Sequence, residues 1–374
     1  ARSTTFMYHC FDLASLYSIM ELTGWECAED AFRRGVEFIS GFVLRNGDTI
    51  YLGRGQQQLF PYGALIFALS AAAARWNEQR YLAAAERAFD FVMKHRRPDG
   101  SLPLVVQPSE AGWPDENVRA ASPEHPGWYR YNNFYDYQAA FPLFLARAAE
   151  VLREAPKLAV AAKDEPLGLS LYGQELAMWR NDLYEAFVSA PGGYLANAMP
   201  VPYICFEGES VTPCYGGERI PPTLYSAEMI PLPQAVSRSG RRICFADTLR
   251  WRLSEDEGAL KLEGRGRGIR HERRFIFGRG RIEMRDRLEL SRAAARTFSS
   301  VSPLVAWGLQ MDALAGSMWR IHDDPPVTLQ VEGTEGQLEP VQGYCARGAI
   351  SGVREVVASP ASHSFERAMT ISLG

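Results

Sequence analysis

The sequence predicts an α+β, multidomain chain: an incomplete (α/α) toroid of helical hairpins over residues 1–195, then an antiparallel β domain over residues 196–374. Three observations carry this reading. A helix–turn–helix unit recurs in the first half. Past about Asn197 the apolar period shortens from 3.6 residues to 2. A length of 374 residues also exceeds what one core usually organises.

The helices come first. Ala28 to Leu44 places Ala28, Ala31, Phe32, Gly35, Val36, Ile39 and Val43 on one stripe, and Tyr81 to Met93 does the same through Tyr81, Ala84, Ala85, Ala88, Phe89 and Val92. These two are expected to be half wet. Leu59 to Ala74 and Ala139 to Leu152 are apolar nearly all round, so both are expected to be inner helices covered on two sides.

Aligning them exposes the repeat. One unit runs from Ala28 to Ala74: amphipathic helix, turn Arg45-Asn46-Gly47-Asp48, polar strip Gly53-Arg54-Gly55-Gln56-Gln57-Gln58, apolar helix. The second runs from Ala83 to Leu152, with turn Arg97-Pro98-Asp99-Gly100 and strip Tyr129-Arg130-Tyr131-Asn132-Asn133. Hairpins repeated in this order build a toroid. The strips then fall on one rim, where helix N-termini present unpaired N–H groups that attract anions. The second unit carries an insert, Val105 to Trp128, with Trp113, His125 and Trp128. A loop this long in an ordered domain is usually functional.

The second half reads as strands and hairpins: Ala259 to Glu263, then Arg281 to Leu290, where Ile282, Met284, Leu288 and Leu290 share a face. A Gly- and Pro-rich connector, Pro191 to Pro233, is expected to cross the mouth of the ring.

Composition narrows the functions. Hydrophobic residues make up 47% and charged residues 22%, an ordinary globular balance. The net charge is −4 and no basic stripe is visible, which argues against a nucleic-acid partner. No stretch reaches the ~18 apolar residues of a membrane span; Gly63 to Ala74 is better read as a buried helix. The opening Ala-Arg-Ser-Thr-Thr shows no leader pattern. Six cysteines form no CxxC pair, which disfavours zinc; Cys205 and Cys214 are close enough in sequence to pair, although free thiols are the simpler reading.

The densest chemistry lies in His125 to Gln138, which holds an imidazole, four phenols, two asparagine amides and a guanidinium. Burying Arg130, Asn132, Asn133 and the tyrosines together is costly unless each finds a partner, and a polar ligand supplies partners. β-Elimination on a uronic acid needs this set. An amide or guanidinium neutralises the carboxylate and holds the enolate-like charge. A base removes the C5 proton, and a Tyr or His protonates the leaving oxygen. No metal or other cofactor is required. Arg54, Gln56 and Gln57 offer a matching set on the neighbouring hairpin.

Helical hairpins, a Tyr/Asn/Asn strip at the start of an inner helix, the run Ile269-Arg270-His271-Glu272-Arg273-Arg274-Phe275 followed by Arg285-Asp286-Arg287, and a C-terminal β part together resemble the heparinase II/III-like and oligoalginate polysaccharide lyases. The resemblance implies a toroid followed by a β-sandwich and a carbon–oxygen lyase acting on a uronic-acid-containing polysaccharide or oligosaccharide. It implies catalytic roles for Asn132, Tyr131, His125, Tyr135 and His271. Substrate contacts are expected from Arg54, Gln56, Gln57, Trp128, Tyr129, Arg130, Asn133, Tyr137, Tyr194 and Tyr344. In the family the amides often read Asn-Asn-His. Here Asn132-Asn133-Phe134 passes the histidine's role to a tyrosine, to His125 or to a β-domain residue such as His271. The family also carries more helices before the sandwich, so either the ring is incomplete or further helices precede it. A role in exopolysaccharide metabolism carries the expectation of a periplasmic or secreted location; the oligomeric state stays open.

Two other readings are compatible with the residues. A glycoside hydrolase needs two carboxyl groups flanking the scissile bond. Asp48, Asp115, Glu116, Glu124 and Asp136 are present, but only Asp136 lies in the polar strip. A non-catalytic glycan-binding protein would keep the aromatics without the acid/base geometry.

Overall fold

The computed structural model describes residues 6–51, 57–104, 106, 138–155, 167–191, 199–212, 233–236, 242–266, 268–291, 297–301, 306–307, 311–333, 336–345, 348–357 and 364–374. They fall into a helical unit, between residues 6 and 155, and a β unit from residue 167 onward.

Five helices make up the described helical unit: α1 (Phe6–Thr23), α2 (Glu26–Ser40), α3 (Leu59–Trp76), α4 (Gln79–Lys94) and α5 (Ala140–Glu154). Helix α3 is the hub and packs against α1, α4 and α5. Every residue from Leu59 to Ala73 is buried, as its all-round apolar sequence requires. It is long and apolar enough to cross a membrane, but its neighbours in the unit already cover it. Helices α2 and α4 bury only one stripe each: Ala28, Phe32, Val36 and Ile39 on α2, and Tyr81, Ala84, Ala85, Ala88, Phe91 and Val92 on α4. Helix α5 departs from expectation. It is covered on one side only, with Pro142, Leu143, Ala146 and Ala149 exposed, because only its α3-facing side meets a long neighbour among the described residues.

The repeated turns are equivalent bond for bond. In the first, Gly47 N donates to Leu44 O and Leu44 N to Asp48 O. In the second, Gly100 N donates to Arg97 O and Arg97 N to Ser101 O. Asn46 Oδ1 accepts from Asp48 N, and Asp99 Oδ1 accepts from Ser101 N, the same side-chain-capped turn in both. Gly47 and Gly100 both take positive φ, +85° and +88°. The structural register therefore pairs Asn46 with Asp99, Gly47 with Gly100 and Asp48 with Ser101.

The β unit begins earlier than the sequence suggested. Helical character was expected to about residue 190 and the β domain from 196; instead β1 (Gly168–Tyr172), β2 (Leu176–Arg180) and β3 (Tyr184–Ser189) form an antiparallel meander. Gly173 takes φ +66° in the first connection. In the second, Asn181 Oδ1 accepts from Leu183 N and Tyr184 N. Strand β3 is buried along its whole length, which hides the alternation that marks a half-exposed strand.

Strands β4 (Met199–Phe206) and β5 (Glu209–Ser210) complete this five-stranded sheet. The central sheet has eight strands in the order β14-β15-β16-β19-β11-β10-β9-β8. These are β8 (Arg250–Asp256), β9 (Ala259–Gly266), β10 (Ile269–Phe277), β11 (Arg281–Leu290), β14 (Asp312–Ala315), β15 (Met318–His322), β16 (Val327–Glu332) and β19 (Ser364–Leu373). A third sheet is ordered β13-β18-β12-β6-β7, with β17 paired to β18. Its strands are β6 (Gln234–Val236), β7 (Arg242–Cys244), β12 (Thr297–Val301), β13 (Ala306–Trp307), β17 (Gln337–Cys345) and β18 (Gly348–Val357). The main core joins Ala186, Val188 and Ile204 of the first sheet to Leu260, Leu262, Phe275, Met284 and Ile371 of the second. Trp179 stacks on Phe277 across that interface at 5.0 Å.

Candidate functional site

Two polar clusters carry what the described residues contribute to the expected site, one in each unit.

In the helical unit the cluster includes Gln57, the last residue but one of the first polar strip. The Leu44–Asp48 turn delivers Asp48 inward, and Asp48, Thr49, Gln57 and Tyr62 are all buried. Asp48 Oδ1 accepts from Thr49 N at 2.7 Å, from Gln57 Nε2 and from Tyr62 Oη at 3.2 Å. Gln57 Nε2 also donates to Tyr62 Oη, and Thr49 Oγ1 donates to the same phenol at 3.1 Å. Gln57 was expected to touch substrate; in the structure it is buried and bonded to Asp48 and Tyr62. Its Oε1 is buried without a hydrogen-bond partner.

Gln57 also fixes the neighbouring repeat. Val106 N donates to Gln57 O at 2.6 Å, and Leu59 N donates to Leu104 O at 3.0 Å. On the far side of the predicted site segment, Phe141 N donates to Gln138 O. At the start of α5, Phe141 lies against Gly63, where an added Cβ would come within 3.0 Å of its backbone. Val106 is thus bonded to the residue two before α3, and Gln138 leads into α5, which packs on α3 through Phe141 and Gly63. Gln138 Nε2 is a second buried amide atom without a partner there.

Most of the expected site lies outside the described residues: Arg54, Gln56, His125, Trp128, Tyr129, Arg130, Tyr131, Asn132, Asn133, Tyr135, Tyr137 and Tyr194. Tyr344 stands in β17 opposite Ala349 of β18. His9 and His95 pack within the helical unit, edge-on to Phe38 and Phe91 respectively. His9 Nε2 meets Gly35 O at 3.1 Å, and burial lowers the pKa of His95. Cys205 is buried.

The second cluster centres on Asp286 of β11. On β10 the inward positions are Ile269, His271, Arg273 and Phe275, and the register sets Arg273 opposite Asp286. Arg273 Nε donates to Asp286 Oδ1 at 2.7 Å and its Nη2 to Oδ2 at 2.9 Å, a bidentate pair. Arg367 of β19 adds bonds to Oδ2 from Nη2 at 3.0 Å and Nε at 3.2 Å. Its Nη1 reaches Glu355 of β18 at 3.4 Å, tying the central sheet to the third. His271 Nε2 lies 3.0 Å from Asp286 Oδ1. A carboxylate only accepts, so Nε2 carries the hydrogen. Nδ1 is buried without a partner.

Burial lowers the His271 pKa against the pull of Asp286, so the ring is held neutral. Burial opposes ionisation of Asp286, but Arg273, His271 and Arg367 outweigh it and hold the carboxyl well below its usual range. With a neutral imidazole, two guanidiniums face two carboxylates and the cluster balances. A cavity of about 20 Å³ beside it is lined by His271, Asp286, Glu355, Arg367 and Gly333, among others. That is room for one water, not for a sugar. The expectation that His271 reaches a cleft is therefore not met: its exposure is 0% and its ring belongs to this network.

Arg367 and Glu355 were missed by sequence reasoning, and Asp286 was read only as part of a strand pattern, yet β11 carried a signal. Its inward series Ile282, Met284, Leu288, Leu290 skips one position, and that position is Asp286.

Comparison with known proteins adds fold information. No family model matches the chain, and neither does any curated protein. Among solved structures, a chondroitin AC lyase of Streptomyces coelicolor A3, solved with chondroitin sulphate, is similar over 97% of this chain and 51% of its own, with TM-score 0.50 and 11% identity. A heparinase III is similar over 97% of this chain and 58% of its own, with TM-score 0.47 and 12% identity. A heparan sulfate lyase of Pedobacter heparinus gives 97% and 59%, with TM-score 0.43 and 12% identity. The chain thus spans little more than half the length of these proteins. At 11% identity the first likeness is one of fold: helices followed by antiparallel sheets.

Proposed function

We propose that this chain is a polysaccharide lyase that cleaves a uronic-acid-containing polysaccharide by β-elimination, and that its helical hairpins are part of an (α/α) toroid. The observation that carries the reading is the bracketing of the amide- and phenol-rich segment. Val106 is bonded to Gln57, just before α3, and Gln138 leads into α5, whose Phe141 packs on Gly63 of α3; in sequence Gln57 directly follows Arg54 and Gln56 of the same strip. The fold likeness to a chondroitin AC lyase supports it.

In this reading Asn132, Asn133 and Arg130 bind the uronate carboxylate and stabilise charge that moves onto it as the C5–H bond breaks. Tyr131, Tyr135 or His125 takes the C5 proton. The electron pair forms the C4–C5 double bond, the C4–O bond breaks, and a phenol or imidazole protonates the departing oxygen. Arg54, Gln56, Trp128, Tyr129, Tyr137, Tyr194 and Tyr344 provide substrate contacts. Gln57 and His271, both buried, hold the surrounding structure instead of meeting the sugar. Acting on such polymers suits a periplasmic or secreted protein.

The test is product chemistry. Incubation with uronate polysaccharides should produce ultraviolet absorbance from the unsaturated sugar, and Asn132→Ala or Tyr131→Phe should abolish it with the fold intact. New reducing ends without that absorbance would identify a hydrolase and end the lyase reading.

A further inference from the structure

The outer face of the central sheet carries an unusual row of charge. The register places Arg250 of β8 opposite Arg265 of β9, and Arg265 opposite Arg270 of β10. Adjacent strands lie about 4.8 Å apart, so three guanidinium stems stand side by side across roughly 10 Å. Like charges placed directly opposite one another destabilise a sheet. The relief in the structure is partial. Glu263, one row further along and only 2% exposed, accepts from Arg252 at 2.8 Å and Arg265 at 2.5 Å and pairs with Arg270 at 3.1 Å. Burial works against its charge, yet the arginines hold its pKa at about 2. Glu263 is thus ionised at neutral pH and engaged by three arginines.

One carboxylate cannot balance four guanidiniums. Glu272 lies 3.5 Å from Arg270 but also serves Lys261 and Arg274. Glu289, opposite Arg270, pairs with Arg287. Arg250 is exposed and forms no ion pair among the described residues. The side chains of Arg252, Arg265 and Arg270 remain 55%, 61% and 43% exposed. An excess of about three positive charges therefore sits on a flat face of a chain whose net charge is −4.

We infer that this row, Arg250, Arg265 and Arg270 with Arg252 beside them, is a binding surface for an acidic polysaccharide outside the catalytic groups. Its guanidiniums take carboxylate or sulfate groups on successive sugars. The inference rests on the lyase reading for its ligand class. Guanidinium forks match carboxylate and sulfate oxygens in bidentate fashion, and the residues Glu263 leaves exposed keep donors free. A glycan suits the face better than a nucleic acid. Trp251 points inward and stacks edge-on to His271, so the row carries no aromatic platform for bases.

The test is binding, not turnover. In an Asn132→Ala background, so that no cleavage intervenes, the full chain is titrated with a labelled heparin octasaccharide and a labelled unsulfated hexauronate. Replacing Arg250, Arg265 and Arg270 together by Ser should weaken binding of at least one probe about tenfold or more and flatten its dependence on salt. The Arg→Lys triple keeps the charge and the partners of Glu263. It should fold whether or not the serine triple does, keep the salt slope, and lose less affinity. Three Ser substitutions at Arg281, Arg285 and Arg287 on the same face serve as control. Unchanged affinity in the row variants, an equal loss in the control, or equally tight binding of duplex DNA would each overturn the inference. Failure of the lyase reading is separate: it would appear as no unsaturated product from the unsubstituted protein, whatever binds.

Discussion

At the scale of single residues, the two repeat turns separate what a glycine does by conformation from what it does by space. Gly47 and Gly100 share a positive φ, but their surroundings differ. A Cβ on Gly47 would lie 1.9 Å from Arg87 O of α4, which is backbone and cannot yield. A Cβ on Gly100 would meet the far end of the Arg96 side chain at 3.2 Å, which can swing away. Gly100→Ala should therefore cost only the left-handed penalty, about 1–2 kcal/mol. Gly47→Ala adds overpacking of a further ~1–3 kcal/mol. Urea unfolding of both variants measures the gap, and equal losses would show that the Gly47 turn does not bear on α4. The turn itself was legible as Arg45-Asn46-Gly47-Asp48. That its aspartate turns inward to hold Gln57 and Tyr62 was not, because a polar residue in a strip reads as exposed until its partners are known.

At the scale of elements, β10 and β11 show where pattern reading stops. Alternation along β10 turns Ile269, His271, Arg273 and Phe275 to one face, and all four are buried. What periodicity cannot supply is the partner across the ladder. Asp286 meets Arg273 only through the β10–β11 register, and Arg367 arrives on β19, 81 residues later in sequence. The resulting network has a defined pH signature. The folded pKa of Asp286 is depressed, so its contribution is complete above the unfolded value near 3.9 and is lost as pH falls below it. The folded pKa of His271 is also depressed. The unfolded chain therefore binds the proton first, and stability falls as pH drops below about 6.5. His271→Gln should lessen the loss that starts near pH 6.5, leaving the share of His95, whose pKa burial also lowers, and should leave the one that starts near 4. Asp286→Asn strands two buried guanidiniums and should cost roughly 3–5 kcal/mol at neutral pH. Denaturant midpoints across pH 4 to 8 would check both, and a His271→Gln variant with the parent's pH profile would remove the histidine from this account.

At the scale of the whole molecule, the passage from helices to strands was legible, but its position was not. Residues 168–189 lack a half-exposed alternation because β3 is covered on both faces, and a doubly covered strand looks like any short apolar run. Strands β1–β5 then supply one wall of the main core: Ala177, Tyr184, Ala186, Val188, Ile204 and Phe206 pack against the eight-stranded sheet. Tyr184 Oη seals the join by donating to Gly278 O at 2.8 Å. A fragment cut at residue 196 would discard β1–β3 and expose that wall. One beginning at Leu167 keeps both walls, the Trp179–Phe277 stack and all five members of the Asp286 network. At about 200 residues it is well above the roughly 70–80 at which a single core becomes marginal. Residues 167–374 alone are therefore expected to give a sheet-type far-ultraviolet spectrum and a cooperative urea transition, whereas residues 196–374 should aggregate or bind a hydrophobic dye. If the shorter fragment unfolded with the same midpoint as the longer one, β1–β3 would be an appendage and not a wall of the core.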